Sequence, residues 1–165
     1  MNEDSGRPQL VKAAAAVFLG GVAAGWFLNP FPVTVDNITA VPFVATAAHN
    51  LRIVAILAAG GFVLAIPTVL VAIWNGFQVG GLLVGIEPSP LRMTLVVHGV
   101  PESLGQIAAT TAGLGLAIQI VRRFARDQPL SFRPILRWTY AAVVLTVIAA
   151  ALESFVTPAV AQEVL

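Results

Sequence analysis

Hydrophobic residues occupy most of the chain in long runs, and short polar or proline-containing stretches separate these runs. A transmembrane helix needs about 20 consecutive apolar residues, so runs of this length predict membrane-spanning helices. We predict five spans, which cover residues 12–28, 51–72, 74–86, 98–120 and 138–160. The third span is short, and residues 91–97 either complete it or re-enter the membrane. The pattern predicts an all-α, polytopic membrane protein, with one helix short or broken, in a single transmembrane domain over residues 1–165.

The apolar run from Leu51 to Ile86 is too long for one span. A continuous helix over this run would extend about 54 Å at 1.5 Å per residue, whereas the hydrocarbon core is about 30 Å thick. The candidate break points are Gly60-Gly61, Pro67 and the segment Trp74-Asn75-Gly76. That segment combines an interfacial aromatic side chain, a polar side chain and a flexible residue, so we predict the reversal there.

Composition supports a membrane protein. The chain is 58% hydrophobic and 10% charged, with a mean hydropathy of +0.88, whereas soluble domains carry about 25% charged residues. The absence of cysteine excludes disulfides and thiolate metal ligands. The lipid bilayer is therefore the expected partner, and the net charge of +1 gives no reason to expect nucleic acid.

Arginines concentrate between the fourth and fifth predicted spans. They are Arg122, Arg123, Arg126, Arg133 and Arg137, interrupted only by Asp127. The positive-inside rule predicts that this turn is cytoplasmic, together with the amino terminus. Five spans then place the carboxyl terminus outside a cytoplasmic (inner) membrane. Such a basic turn by itself indicates topology and contact with anionic lipid, and a dedicated protein partner is the sharper alternative.

Glycines recur at intervals of four in the first and third predicted spans. They are Gly21 and Gly25, then Gly76 and Gly80, and finally Gly81 and Gly85. Small residues at this spacing let a second helix approach closely. We therefore expect a homo-oligomer in which these glycines form the contact.

His98 and Glu102 lie four positions apart in the fourth predicted span. On a helix, this spacing places two residues one turn apart on the same face. Placing such groups in lipid costs free energy unless they are paired or solvated. We therefore expect a functional site to include these two residues. We predict that the helix begins near Gly99, with Pro101 in its first turn, where the missing N–H costs little.

Five motifs follow one another along almost the whole chain: Asn50-Leu51-Arg52, Trp74-Asn75-Gly76-xxx-Gly80, His98-Gly99-xx-Glu102, Ile107-Ala108-xxxx-Gly113-Leu114-xx-Ala117 and Glu153-Ser154-Phe155-Val156-Thr157-Pro158. In this order they resemble the stage II sporulation protein M family. Two positions depart from the family pattern, because Val97 stands where proline is usual and His49 where asparagine is usual.

The resemblance implies a small polytopic protein of a prokaryotic cytoplasmic membrane. In spore-forming bacteria the namesake works in a complex with cell-wall hydrolases during engulfment, and relatives in organisms that never sporulate have no established activity. We therefore expect a non-enzymatic component of a cell-envelope assembly, with an envelope protein as partner. The alternative is a permease-like subunit that translocates an ion or a small hydrophobic peptide.

The residues marked by the resemblance lie in the outer half of the bilayer under this topology. We expect an outward-facing polar cluster in which Arg52 neutralises a carboxylate and His98 hydrogen-bonds to Glu102 or Glu153. The candidate site residues are His98, Glu102, Glu153, Asn50, Arg52, Asn75 and Gln106.

Three roles for this cluster stay open from sequence alone. Paired polar groups can fix the register of helices, and carboxylates beside a histidine are typical of proton or ion relays. A metal site would use His98, Glu102 and Glu153, although the HExxH pattern is missing.

Gln106 and Thr110 continue the polar stripe below Glu102, which either lines a water path or hydrogen-bonds to a neighbouring helix. No catalytic residue or cofactor is predicted.

Overall fold

The computed structural model describes residues 7–28, 33–34, 41–87 and 92–164. The elements in these ranges are α1 (Arg7–Leu28), β1 (Val33–Thr34), α2 (Phe43–Ala59), α3 (Ile66–Gly85), β2 (Ile86–Glu87), α4 (Arg92–Arg126), α5 (Phe132–Ala151) and α6 (Thr157–Val164). A 3₁₀ segment, Gly60–Val63, extends α2, and a π-helical segment, Leu152–Val156, joins α5 to α6. Five helical stretches among the described residues are long and apolar enough to cross a membrane. The predicted all-α class is confirmed.

The observed spans cover residues 8–28, 43–63, 66–85, 92–126 and 132–160. Each begins earlier than predicted, the second also ends earlier, at residue 63 and not 72, and the third, with 20 residues, is not short. The second and fifth begin at Phe43 and Phe132. Both extensions contain proline or polar residues, which a hydropathy pattern assigns to loops although a helix can continue through them.

α4 is the longest helix and the centre of the bundle, because α1, α2, α3 and α5 all pack against it. Its 35 residues extend about 52 Å, which exceeds the hydrocarbon thickness. Its buried face is rich in alanine, including Ala108, Ala109 and Ala112, and such small side chains let helices approach closely. Residues 92–97 belong to this helix, so they neither complete the third span nor re-enter the membrane.

α4 begins at Arg92 and not near Gly99 as predicted, so Pro101 lies inside the helix. The side chain of Arg92 explains the earlier start. Its Nε donates a hydrogen bond to the Ile86 carbonyl and its Nη2 donates one to the Val84 carbonyl, both at 3.1 Å. These bonds tie the beginning of α4 to the end of α3. Neighbouring helices and side chains commonly support a proline inside a membrane helix.

The chain reverses between α2 and α3 at residues 60–65, and the predicted reversal at 74–76 is wrong. After the 3₁₀ segment, Leu64 and Ala65 adopt left-handed backbone conformations, with φ of 54° and 62°. Such conformations are rare for residues other than glycine, and here they turn the chain into α3. The Gly60-Gly61 alternative therefore gives the correct position.

Two hydrogen bonds explain the position of the reversal. Thr68 Oγ1 donates to the Leu57 carbonyl across the turn at 2.8 Å, which satisfies a carbonyl near the end of α2. Gly61 adds close contact, because a Cβ at this position would collide with α4. Asn75, in contrast, donates from Nδ2 to the Val71 carbonyl of its own helix at 2.8 Å. Its polar side chain is thereby satisfied, and α3 continues through this position.

The glycines of the first and third spans pack α1 against α3. A Cβ added at Gly21, Gly25, Gly76 or Gly80 would collide with the backbone of the opposite helix. Gly81 and Gly85 are also buried within the chain. The faces of these glycines are therefore covered inside one chain, and the expected homo-oligomer stays a prediction.

The two ends of the bundle differ in chemistry. The start of α1 and the turn at residues 127–131 lie together at one end, where both line the same cavity. At the other end, Phe43 of α2 and Phe155 of the π-helical segment have ring centroids 5.9 Å apart. There β1 also pairs in parallel with β2, with Val33 opposite Ile86. The arginine-rich turn and the π-helical segment that contains Glu153 therefore belong to opposite ends.

Candidate functional site

Three predicted site residues lie along one face of α4, at the end away from the arginine-rich turn. His98, Glu102 and Gln106 follow one another at intervals of four, which places them on successive turns. Gln106 is buried and the other two are partly buried. This face therefore places a polar stripe against the bundle.

Hydrogen bonds hold this stripe and connect it to α6. Gln106 Nε2 donates to Glu102 Oε1 at 3.1 Å. His98 Nδ1 and Thr157 Oγ1 form a hydrogen bond of 3.0 Å, in which the tautomer of the ring decides the donor. The expected hydrogen bond from His98 to a carboxylate is replaced by this bond to a hydroxyl group.

Glu153 reaches the same region from the π-helical segment. It interacts electrostatically with both His98 and Glu102, and His49 of α2 interacts with Glu102 in the same way. A π-helical turn inserts an extra residue into a helix and is frequent at functional sites. We call the following six residues the polar cluster: His49, His98, Glu102, Gln106, Glu153 and Thr157.

The remaining predicted site residues are not members of the polar cluster. Asn50 is buried on α2, next to His49 in the chain. Arg52 follows two residues later, about 200° around the helix, and is exposed without an ion pair to any described residue. The expected neutralisation of a carboxylate by Arg52 therefore stays a prediction. Asn75 bonds within α3, apart from the cluster.

Three buried polar atoms at this end have no hydrogen-bond partner among the described residues. They are Thr46 Oγ1 of α2, Gln106 Oε1 of α4 and Ser154 Oγ of the π-helical segment. A buried polar group without a partner costs about 1–3 kcal/mol, and native proteins retain few of them. These atoms are consequently available to water or to a bound group.

Beyond Gln106, toward the arginine-rich end of α4, the next hydroxyl groups hydrogen-bond within the helix. Thr110 Oγ1 donates to the Gln106 carbonyl and Thr111 Oγ1 donates to the Ile107 carbonyl, each at 2.8 Å. Both hydroxyl groups are therefore satisfied within α4, and neither bonds to a neighbouring helix as one alternative predicted. Side chains of this kind permit close packing and leave no donor for a water path.

A groove of about 400 Å³ leads to His98 and Glu102 between α1, α3 and α4. Its walls are mostly aliphatic, and they include Leu19, Val100 and Leu104, which are 57%, 52% and 50% exposed. In a bundle that spans a membrane, exposed aliphatic side chains face lipid or another membrane segment. The groove therefore opens toward the side of the bundle.

The metal-site alternative lacks support from the geometry. No group of three or more His, Asp or Glu side chains in the described part of the chain is arranged to hold a metal ion. His98, Glu102 and Glu153 lie near one another without converging on one point. Their neighbourhood suits hydrogen bonding and electrostatic interaction instead.

Sequence reasoning missed Thr157 and Ser154 as members of this region. Thr157 follows Glu153 by four residues, but the π-helical segment Leu152–Val156 departs from the regular helical repeat, so this spacing was not a reliable signal. Ser154 is buried within the same segment.

The chain resembles known proteins over most of its length. The family model described as stage II sporulation protein M matches residues 14–158. An uncharacterized protein of the archaeon Methanocaldococcus jannaschii is 27% identical over 133 residues, which cover 74% of this chain and 75% of that protein. No solved structure matches. Because the family match covers all five spans almost completely, the chain belongs to the stage II sporulation protein M family.

Proposed function

We propose that this protein is a non-enzymatic membrane subunit of a cell-envelope assembly and that its polar cluster receives a transmembrane segment of a partner protein. The observation that carries the proposal is the groove that leads from the side of the bundle to His98 and Glu102. Aliphatic walls suit the apolar face of a helix, and the polar groups in the lining, His98 and Glu102, suit one polar residue on that helix.

The chemistry of the cluster favours a hydrogen-bond donor on the partner. Glu102 lines the groove and supplies carboxylate oxygens, whereas Glu153 and Gln106 are not among the lining residues and interact with Glu102. A serine, asparagine, lysine or arginine side chain can donate to such acceptors, whereas a lipid tail cannot. Specificity then comes from leaving these acceptors unpaired when a wrong segment binds.

The location of the cluster fits an envelope partner. We place the arginine-rich turn and the amino terminus on the cytoplasmic side by the positive-inside rule. The cluster then lies in the outer half of the cytoplasmic membrane, and the carboxyl terminus is outside. A partner with its main domain in the envelope would present its membrane segment at this depth.

Photo-crosslinking in the native membrane tests this proposal. A photoreactive residue at Val100, in the wall of the groove, is expected to give one discrete protein adduct. Glu102→Gln is expected to remove this adduct, because one carboxylate oxygen already accepts from Gln106 Nε2 and the substitution replaces the other oxygen, which the partner uses, with an NH2 donor. The control site is Leu136 of α5, which is 65% exposed and does not line the groove.

The yields of adduct at Val100 and Leu136 distinguish a specific docking site from non-specific contact. Adducts of similar yield at Val100 and Leu136, unchanged by Glu102→Gln, would contradict a specific docking site. An adduct with twice the chain mass of 17.2 kDa would identify the segment as part of a second copy.

A permease-like subunit that moves an ion or a small hydrophobic peptide is the second candidate. Two carboxylates beside a histidine favour it, as does the interrupted helix between α2 and α3. This function requires water to reach Glu102. The mostly aliphatic groove and the internally bonded Thr110 and Thr111 make it the weaker candidate.

A further inference from the structure

A second cavity, of about 430 Å³, lies at the arginine-rich end between α1 and the pair formed by α4 and α5. One wall is the face of α4 from Thr111 to Arg122, which is about 16 Å long. Leu10 of α1 and Trp138 of α5 form the sides. This cavity shares no lining residue with the groove at the polar cluster, so the two are separate sites.

The polarity of the cavity changes along its length. Ala112 and Gly115 of α4 line its deeper part together with Trp138. Gln119 and Arg122, one and two turns farther along α4, line its outer part. An apolar depth with a polar entrance at the membrane surface matches the shape of an amphiphile, whose tail and headgroup need these two environments.

The polar entrance is rich in donors that no described group uses. Ser131 N donates to Gln119 Oε1 at 2.6 Å, which leaves the amide nitrogen of Gln119 without a partner among the described residues. Arg123 pairs with Asp127, whereas Arg122 has no ion pair with any described residue. No carboxylate among the described residues lines the cavity. The entrance therefore has the electrostatic character of an anion site.

We propose that this cavity binds an anionic phospholipid, with the headgroup phosphate at Arg122 and an acyl chain directed toward Trp138. A guanidinium group binds a phosphate through paired hydrogen bonds. The neighbouring exposed arginines, including Arg126 and Arg133, raise the local concentration of anionic lipid at this surface. This site stands independently of the proposed function of the polar cluster.

Fluorescence quenching of Trp138 tests the site in the full-length protein. The chain has three tryptophans, and Trp26 and Trp74 are exposed, so Trp26→Phe with Trp74→Phe leaves Trp138 as the reporter. The protein is reconstituted into phosphatidylcholine vesicles that contain brominated phosphatidylglycerol or, at the same mole fraction, brominated phosphatidylcholine. Stronger quenching by the anionic lipid is expected.

Substitutions at two arginines separate a site from diffuse attraction. Arg122→Gln is expected to lower the preference for the anionic lipid about fivefold, the effect of one arginine at a membrane surface. Arg122→Lys is expected to give an intermediate preference, because lysine keeps the charge but not the paired hydrogen bonds. Arg133→Gln is the matched control, because Arg133 is exposed at the same end but does not line the cavity, and it is expected to leave the preference nearly unchanged.

Three results would overturn this proposal. Equal quenching by the two brominated lipids would show that no anionic lipid is selected. Equal losses in Arg122→Gln and Arg133→Gln would show diffuse attraction to the basic turn. Displacement of the brominated lipid by soluble inorganic phosphate would show that the entrance binds free phosphate and that the acyl chain contributes nothing.

Discussion

Glu102 and Glu153 lie on different helical segments but share His98 as a neighbour. Glu153 interacts electrostatically with both His98 and Glu102. Charges interact more strongly where water is scarce than at an exposed surface, so the environment of each carboxylate depends on the other. We therefore expect these residues to act as one network.

A double-mutant cycle tests this coupling. Glu102→Gln and Glu153→Gln should change the free energy of unfolding non-additively, by at least about 0.5 kcal/mol, as residues of one network do. Unfolding in detergent micelles measures each change. The control pair is Glu102→Gln with Arg137→Gln at the opposite end of the bundle, which should be additive. Additivity in both pairs would show that the two carboxylates act separately.

Helical periodicity explains which site residues were predictable. His98, Glu102 and Gln106 share a face at intervals of four, and this relation holds in any α-helix. Glu153 and Thr157 belong to or follow a π-helical segment, which shifts the face of every later residue relative to the regular repeat. The partner of His98 therefore depended on a local irregularity that the hydrophobic pattern does not contain.

The packing of α1 against α3 was also only partly predictable from the sequence. Glycines at intervals of four predicted faces for close packing, and the structure has such a contact. Any neighbouring helix satisfies this pattern equally well, so the pattern does not identify the partner. The connection between the helices determines the packing partner of α1, because the reversal at residues 60–65 brings α3 back parallel to α1 within the same chain.

Substitution of two glycines in α1 tests this contact. Gly25→Ala should destabilise the protein by about 1–3 kcal/mol, because the added methyl group meets the Phe77 carbonyl. Gly20 is the matched control, since a Cβ there has no atom within 4 Å. Gly20→Ala should gain up to about 1 kcal/mol from helix propensity. Thermal unfolding in detergent compares the two variants, and equal Tm values would contradict the α1–α3 contact.

The reversal between α2 and α3 was predictable in its existence but not in its position. The length of the apolar run required a break, since one helix would exceed the bilayer. Thr68 placed the break by bonding to the Leu57 carbonyl across the turn, whereas Asn75 bonded within its own helix. Hydropathy does not reveal which polar side chain will find a partner across a turn.

At the scale of the whole molecule, two regions of different chemistry lie at opposite ends of one bundle. Glu102 offers acceptors in the lining of a mostly aliphatic groove, and the arginine-rich end offers donors around a separate cavity. Composition and run length were sufficient to predict the membrane class, because only 10% of the residues are charged and the apolar runs are long enough to span a bilayer. Neither cavity was predictable, since each lies between three helices whose packing the hydrophobic pattern does not contain.

The most direct test of the account is whether the polar cluster faces the membrane or water. The protein has no cysteine, so Ser103→Cys, beside Glu102 in the groove, can carry the only spin label in lipid nanodiscs. We expect this label to collide mainly with oxygen, which concentrates in lipid. A label at Val41, which is exposed before α2, should collide mainly with a water-soluble nickel chelate. Nickel collisions as frequent at residue 103 as at residue 41 would reveal an aqueous path and contradict a membrane-facing docking site.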